Sequence, residues 1–547
     1  MNSRKKIFII VIMIIFAGCG RKKFNDEARI ITRALSLDQK IGQLIMMAVP
    51  GDGMNRAAEM ILKRYRPGGV ILFGYNLSTF EHNKKFIHDL QEASCSYTGI
   101  PLFISIDQEG GRVVRIVSGA TQFPGAMAAG VSGDRDLVYR WGRILAAELR
   151  ITGVNMNLAP VLDVNNNPRN PVINTRSFGS DPRQVADLGA AFIRGIRDSR
   201  CIAVGKHFPG HGDTDKDSHL TLPVIRYGME RLSRIELVPF KRAIGAGVEC
   251  IMTAHIAYPS ILESDEPATE SKRFLNDMLR KEFGFDGLVI TDDMEMHAIS
   301  RRQEMGEAAV RSVLAGADII LISSYERNIL LIINALTKAV REKRITEERI
   351  DAAVARIIET KIRYGILAHE GGSWIPGTYV LSEDDKKALN ESGSVNASLS
   401  REGILCYGGG DCIGTAPGAT RIFITRNDIL RRELSRNTRN VIVRDFTDLG
   451  RSVPANSAGT VVYLHVVDPD IEYIKNVEGY CKKKGINLVI VSSGNPFPVT
   501  VSGIARAGLL SFSNTEESLR QLGRCLNGEF HPRTGGSLLL GTENQKP

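Results

Sequence analysis

From residue 41 onward, short runs of apolar residues alternate with stretches in which apolar residues recur every three or four positions. The runs fall at 44–49, 69–73, 102–106, 155–159, 202–204, 250–254, 288–290 and 319–322. They are continuous, not alternating, which is the pattern of parallel strands covered on both faces. Helical periods lie between them, clearest at 136–150, 184–198, 231–246 and 304–315. Eight such units predict a (β/α)8 barrel with insertions, over 31–368. A helical period at 345–366 closes it. Residues 369–381 are rich in Gly and Pro and lack a period, so they predict a linker. A helix restarts with Ser382 as its N-cap. Apolar runs at 404–407, 422–425, 441–443, 461–466, 488–492 and 508–512 then predict a smaller α/β layered-sheet domain over 382–540. Residues 541–547 read as a frayed polar tail.

The start of the chain has a different pattern. Arg4, Lys5 and Lys6 precede an apolar run at 7–16, then Ala17, Gly18 and Cys19. A charged segment, a short apolar segment and small residues before a cut make an export signal. The end of this one resembles a bacterial lipoprotein signal, with Phe16 where leucine is usual and Cys19 as the acylated residue. The expectation is a signal at 1–18, a tether at 19–30, and an exported chain held at the membrane by a lipid on Cys19. The formal charge is +9, falling to +6 if Arg4, Lys5 and Lys6 are removed. No basic run is interleaved with aromatics, so a nucleic-acid partner is not expected. Of the 8 cysteines, Cys201, Cys250 and Cys406 sit at or inside apolar runs and read as buried free thiols. There is no Cys-x-x-Cys pair, which argues against a cysteine zinc site.

In a barrel of this kind the chemistry lies where the strands end. The third run ends in Asp107, the fourth leads to Asp163, the fifth ends in Lys206 and His207, the sixth in His255 and the seventh in Asp292 and Asp293. A lone Asp there is more often a helix cap. Five strands delivering Asp, Asp, Lys-His, His and Asp to one rim exceed what capping explains. The loop KHFPGHGDTDKDSHLTLP (206–223) adds His211, Asp217 and His219. A metal site is one reading, but Pro209, Gly210 and Gly212 break helical ligand spacing. The other is recognition of a hydroxyl-rich ligand with acid–base catalysis, Asp217 supporting His219.

The same loop closely resembles the signature of the β-N-acetylglucosaminidases of glycoside hydrolase family 3. IDQEGGRVVR (106–115), LAPVLDVN (158–165), NTRSFG (174–179), TAHIAYP (253–259) and GLVITDDMEM (287–296) match in order, and SSGNPFPV (492–499) resembles a segment of two-domain members. The resemblance implies a retaining mechanism through a covalent glycosyl-enzyme. It implies Asp292 as nucleophile, with Asp293 not the matching position, His219 as general acid/base and Asp217 as its partner. Asp107, Arg115, Arg176, Lys206 and His207 match the sugar-binding positions, and no metal or cofactor is called for. Gly110 and Gly111 would let the third loop fold Arg115 back. Glu109 is expected to support or cap, Arg112 to be structural, His211 to shape its loop, His255 and Met252 to line the pocket, and His297 to be a helix residue.

The expected activity is exo-hydrolysis of terminal β-linked N-acetylglucosamine from muropeptides or chitin-type oligosaccharides. Transfer to phosphate is an open alternative. A β-glucosidase type is disfavoured, because those members lack the Asp-x-His loop. A non-catalytic sugar-binding lipoprotein is disfavoured because Asp292, His219 and Asp217 are all present.

Overall fold

The computed structural model describes residues 24–218, 220–296, 299, 304–325, 327–370, 373–407, 420–453, 460–467, 471–494 and 508–534. Cys19, His219 and His297 lie outside them. Eight parallel strands form the first sheet: β1 (Ile45–Ala48), β2 (Gly69–Ile71), β3 (Phe103–Ile106), β4 (Met156–Asn157), β5 (Ile202–Phe208), β6 (Cys250–Thr253), β7 (Leu288–Ile290) and β8 (Ile320–Ile322). They pair in sequence order, β1 also pairs with β8, and a parallel bridge between Ile290 and Ile319 joins β7 to β8. The sheet is therefore a closed barrel. Every strand residue is buried, which is why the runs read as continuously apolar.

Helices form the outer layer. Arg135–Thr152 starts at Asp134, whose side chain accepts from the Asp136 and Leu137 amides, and stops at Gly153. It packs on Pro182–Asp198 through two glycines. A Cβ on Gly142 would lie 2.5 Å from the Phe192 carbonyl oxygen, and one on Gly195 would lie 2.2 Å from that of Tyr139. The period read at 231–246 is two helices, Met229–Arg234 and Leu237–Gly245. Pro239 has no N–H for the carbonyl four residues back, so the helix must restart with Pro239 in its first turn.

Two stretches read as irregular are ordered. Residues 24–34 are helical, so the stretch expected as tether, 19–30, is ordered from residue 24. Ala28 is buried in the barrel core, with Ile31 and Leu35 packed against it at helical spacing. The linker carries an antiparallel hairpin, β9 (Leu367–Glu370) with β10 (Ser373–Pro376). Ser382 caps Glu383–Asn390 in a capping box with Asp385. That helix and Ser392–Glu402 bury Ala388, Val395 and Leu399 in the barrel's cluster.

The second sheet runs β13-β12-β14-β15-β16-β11-β17. Its strands are β11 (Leu405–Tyr407), β12 (Arg421–Ile424), β13 (Asn440–Val443), β14 (Val461–Val466), β15 (Asn487–Ser492), β16 (Gly508–Leu510) and β17 (Arg533–Thr534). All pairs are parallel except β11 with β16. One face packs on Asp428–Leu434 and Glu516–Leu526, the other on Ile471–Lys484. Cys406, expected as a free thiol, is disulfide-bonded; Cys201 and Cys250 are free and buried. Apolar context reports burial, and it does not report whether another cysteine is in reach. The sheet meets the barrel at a seam in which Leu405, Leu510 and Phe512 pack on Met127, Ala128 and Val131. Among the described residues no helix is long and apolar enough to cross a membrane.

Candidate active site

The loop after β3 folds back on itself. Gly110 and Gly111 hold φ of 89° and 59°, in the left-handed region that favours glycine. A Cβ on either would come within 2.7 Å of the 124–125 backbone. Gln108 fixes the return, its Oε1 accepting from the Arg115 and Ile116 amides at 2.7 and 3.1 Å. Arg115 is thereby carried to Asp107, with Nη2 to Oδ2 at 3.4 Å.

Asp107 belongs to a charged chain across three strands. Lys206 Nζ donates to Asp107 Oδ1 at 2.7 Å and pairs with Glu109 Oε1 at 2.7 Å. Arg176 Nε and Nη2 donate to Glu109 Oε2 and Oε1 at 2.9 and 2.8 Å, a bidentate pair. Lys206 is 2% exposed and Glu109 6%. Burial alone pushes the Glu109 carboxyl up, but Arg176 and Lys206 together hold it well below the usual carboxylate range. Burial depresses Lys206, and Asp107 and Glu109 more than restore it, so it stays charged. Glu109, expected to be a supporting group, is the anion that binds two of the expected sugar ligands.

On β5, His207 Nδ1 donates to Asp163 Oδ2 at 2.7 Å. That leaves Nε2 as the remaining polar ring atom of a residue that lines the cavity. Asp163 is fully buried and also accepts from the backbone amides of His207 and His211. Burial raises its pKa, and the two imidazoles pull it below the ordinary value. Asp163 was legible only as a rim carboxylate. Its role as the holder of His207 could not be read, because the two are 44 residues apart.

His211 is buried with both ring nitrogens occupied. Nδ1 meets Thr214 Oγ1 and Nε2 meets Ser218 Oγ, each at 2.9 Å. Burial pushes its pKa down to about 4, so the ring is neutral. Neither nitrogen is left for a cation, and the ring shapes the loop, as expected. Asn170 Nδ2 donates to the carbonyls of His211 and Gly212 at 2.8 and 3.0 Å. A Cβ on Gly212 would lie 1.7 Å from the Val164 carbonyl oxygen. The glycines of this loop are thus points of close contact, and its base is pinned to the loop after β4. Asp217 is half-buried, and its carbonyl accepts from the Leu220 and Thr221 amides at 3.0 Å each. Asp217 and Ser218 sit at the end of the pinned segment. His219, their neighbour, is outside the described residues.

At the end of β7 the two aspartates part. Asp293 Oδ1 accepts from the Ser323 and Glu295 amides at 3.0 and 3.1 Å. Asp292 Oδ1 accepts from the Asp293 amide at 2.9 Å. Burial pushes Asp292 up, but His207, His255, the Asp293 amide and Lys206 hold it below the usual range. His255 is fully buried, bonds Thr269 Oγ1 at 2.9 Å, and donates from Nε2 to the Asp293 carbonyl at 3.0 Å. It fixes the backbone that carries Asp292.

One cavity of about 370 Å³ gathers Asp107, Arg115, Arg176, Lys206, His207, Ser218, Met252 and Asp292. Arg112 is turned to the Val172 carbonyl at 3.2 Å. Fixed charges whose desolvation is already offset by partners suit a ligand rich in hydroxyls. A carboxylate kept ionised beside them suits nucleophilic attack.

The glycosyl hydrolase family 3 N-terminal domain matches residues 36–360. Beta-hexosaminidase A of Pseudoalteromonas piscicida is 35% identical over 325 residues, 55% of this chain and 54% of that protein. The chain therefore spans about half the length of that relative. The beta-hexosaminidase of Tolumonas auensis is 35% identical over 295 residues, 53% of this chain and 86% of that protein. A family 3 β-N-acetylglucosaminidase from Paenibacillus sp. superposes with a TM-score of 0.78 at 33% identity, covering 91% of this chain and 98% of that one. The chain belongs to glycosyl hydrolase family 3, and its barrel is that of a glycoside hydrolase.

Proposed function

We propose that this chain is a retaining exo-β-N-acetylglucosaminidase, exported and anchored by a lipid on Cys19, that removes terminal β-linked N-acetylglucosamine from muropeptides or chitin-type oligosaccharides. The observation that carries the reading is Asp292, an aspartate at a strand end held ionised by His207, His255 and Lys206 beside a buried chain of sugar-binding type. The names of the two hexosaminidases and of the Paenibacillus enzyme support the amino sugar.

In this reading Asp292 attacks the anomeric carbon, and the bond to the leaving oxygen breaks as His219 protonates it. His219 then takes a proton from water, whose oxygen displaces Asp292 and frees the sugar with its configuration retained. Asp217 supports the imidazolium. Asp107, Arg115, Arg176, Lys206 and His207 hold the ring. The disulfide at Cys406 supports export, because such bonds persist in oxidising compartments.

The test is trapping. A fluorosugar inactivator should leave its label on the peptide containing Asp292, and Asp292→Ala should lower kcat by several orders of magnitude on an aryl N-acetylglucosaminide. A label on Asp293, with Asp292→Ala still active, would overturn the assignment. With phosphate in the assay, release of free N-acetylglucosamine marks hydrolysis, and release of its 1-phosphate would replace that part of the reading.

A further inference from the structure

In the second sheet, β13 and β14 lie on either side of β12, and all three are parallel. The helix after β12, Asp428–Leu434, packs on one face, and the helix after β14, Ile471–Lys484, packs on the other. Connections that leave adjacent strands toward opposite faces do not close over the strand ends between them. The carboxyl ends of β12 and β14 therefore border a crevice, which is where open α/β sheets take their ligands. A cavity of about 530 Å³ lies there, and its lining includes Thr425, Arg426, Arg444, His465, Val467 and Tyr473. That volume is in the range of small-molecule sites. The cavity shares no lining residue with the catalytic one. β15 stands between β14 and β16, and it is β16 and β11 that bring Leu510 and Leu405 to the seam with the barrel.

The floor of the crevice is held in place. His465 Nδ1 meets Thr425 Oγ1 at 3.0 Å and Nε2 meets Ser493 Oγ at 2.8 Å, so one imidazole ties the ends of β12, β14 and β15 together. Burial pushes its pKa down to about 4, so the floor is uncharged. The charge lies on the rim. Arg426 follows β12 and Arg444 follows β13, whose last residues, Ile424 and Val443, are partners in register. Arg426 is shared with Asp445, whereas Arg444 is exposed and makes no ion pair among the described residues. No acidic residue lines the cavity. A preformed neutral floor under two guanidiniums suits an anion. A phosphate offers three acceptor oxygens to arginines on adjacent strands, where a carboxylate offers two. The Tyr473 ring and Val467 add an apolar wall that a bare phosphate would leave uncovered. We propose that this crevice is a second ligand site, for a small phosphate monoester, with its phosphate on Arg426 and Arg444 and its organic body against Tyr473 and Val467. The site stands independently of the glycosidase reading above.

Titration calorimetry of the full chain tests it with inorganic phosphate, ribose 5-phosphate, adenosine 5′-monophosphate and succinate. At least one of the monoesters should bind more tightly than inorganic phosphate and succinate, and its affinity should fall as salt rises. The preferred monoester identifies the body as a sugar alone or a sugar with a planar base. Arg444→Ala should weaken that monoester at least about tenfold, as the loss of a charge-assisted pair does, and leave the unfolding temperature of the unliganded chain unchanged. Arg444→Lys keeps the charge without the fork and should recover part of the loss. Binding that survives Arg444→Ala at full strength would place the anion elsewhere and overturn the site, as would no binding by any of the four. Inorganic phosphate or succinate binding as tightly as the monoesters would overturn the ligand class.

Discussion

Asp292 and Asp293 are adjacent in sequence and opposite in environment. Burial raises both, yet Asp292 is pulled back by imidazoles and a lysine while Asp293 is not, its oxygen being used to tie β7 to β8. The letters DD alone cannot say this, because the partners arrive from β5, β6 and β8. His219 follows the same logic at one remove. Its neighbours Asp217 and Ser218 belong to a segment whose base is pinned to the loop after β4, with Ser218 Oγ at 2.9 Å from His211 Nε2. If His219 is the acid/base, His219→Ala should slow substrates with poor leaving groups far more than activated aryl glycosides, and azide should restore part of the aryl turnover. Equal losses on both, with no azide effect, would remove it from that role. Asp107, Lys206, His207 and Asp292 were legible because strand ends fix where side chains gather. Asp163 and His255 were legible as rim residues, but their roles, like those of Gln108 and Glu109, depend on partners set by tertiary packing, which no local spacing announces.

At the scale of elements, periodicity located all eight barrel strands but misjudged where a helix must break, at Pro239, and where a Gly-Pro stretch could still pair, at β9 and β10. Helix Arg135–Thr152 shows what an element does beyond packing. Its Glu148 accepts from the Thr121 hydroxyl at 2.6 Å and from the Thr121 amide, tying the helix to the segment before Phe123. Burial pushes the Glu148 carboxyl up to about 7, with Thr121 pulling it partly back. A folded pKa above the unfolded value of 4.5 means that the group favours folding most below pH 4.5. That contribution is lost as the pH rises toward 7, by roughly 3 kcal/mol in all. Glu148→Gln cannot ionise, so its stability relative to wild type should improve by about that much between pH 4 and pH 8 in urea unfolding. A difference that does not vary with pH would mean that Glu148 titrates alike in both states.

For the whole molecule, the helix at 24–34 lies against the barrel, and four residues, 20–23, lie between its first described residue and Cys19. Even fully extended, that interval spans about 17 Å. A lipid on Cys19 would thus hold the barrel close against the bilayer. Mass spectrometry of the N-terminal peptide should find an acylated Cys19, and Cys19→Ser should move the enzyme to the soluble fraction with its activity intact. An unmodified peptide that begins upstream of Cys19 would refute the anchor.

The seam between the sheets has a consequence for anyone who wants a smaller enzyme. Relatives such as the Tolumonas protein match over 295 residues, 53% of this chain, which invites trimming this chain to about that size. Here Phe512, Leu510 and Leu405 cover Met127, Ala128 and Val131. Gly125 caps the helix Ala126–Ser132 that carries those three residues, and it lies against both Phe512 and the Gly111 turn of the loop that carries Arg115. A cut at the hairpin would bare a greasy strip on the barrel and loosen the wall of the cavity in one stroke. The trimmed protein would need polar replacements at 127, 128 and 131 before it could stay in solution. What looks like an appendage in the chain is, in the assembled molecule, the cover of an apolar strip on the barrel.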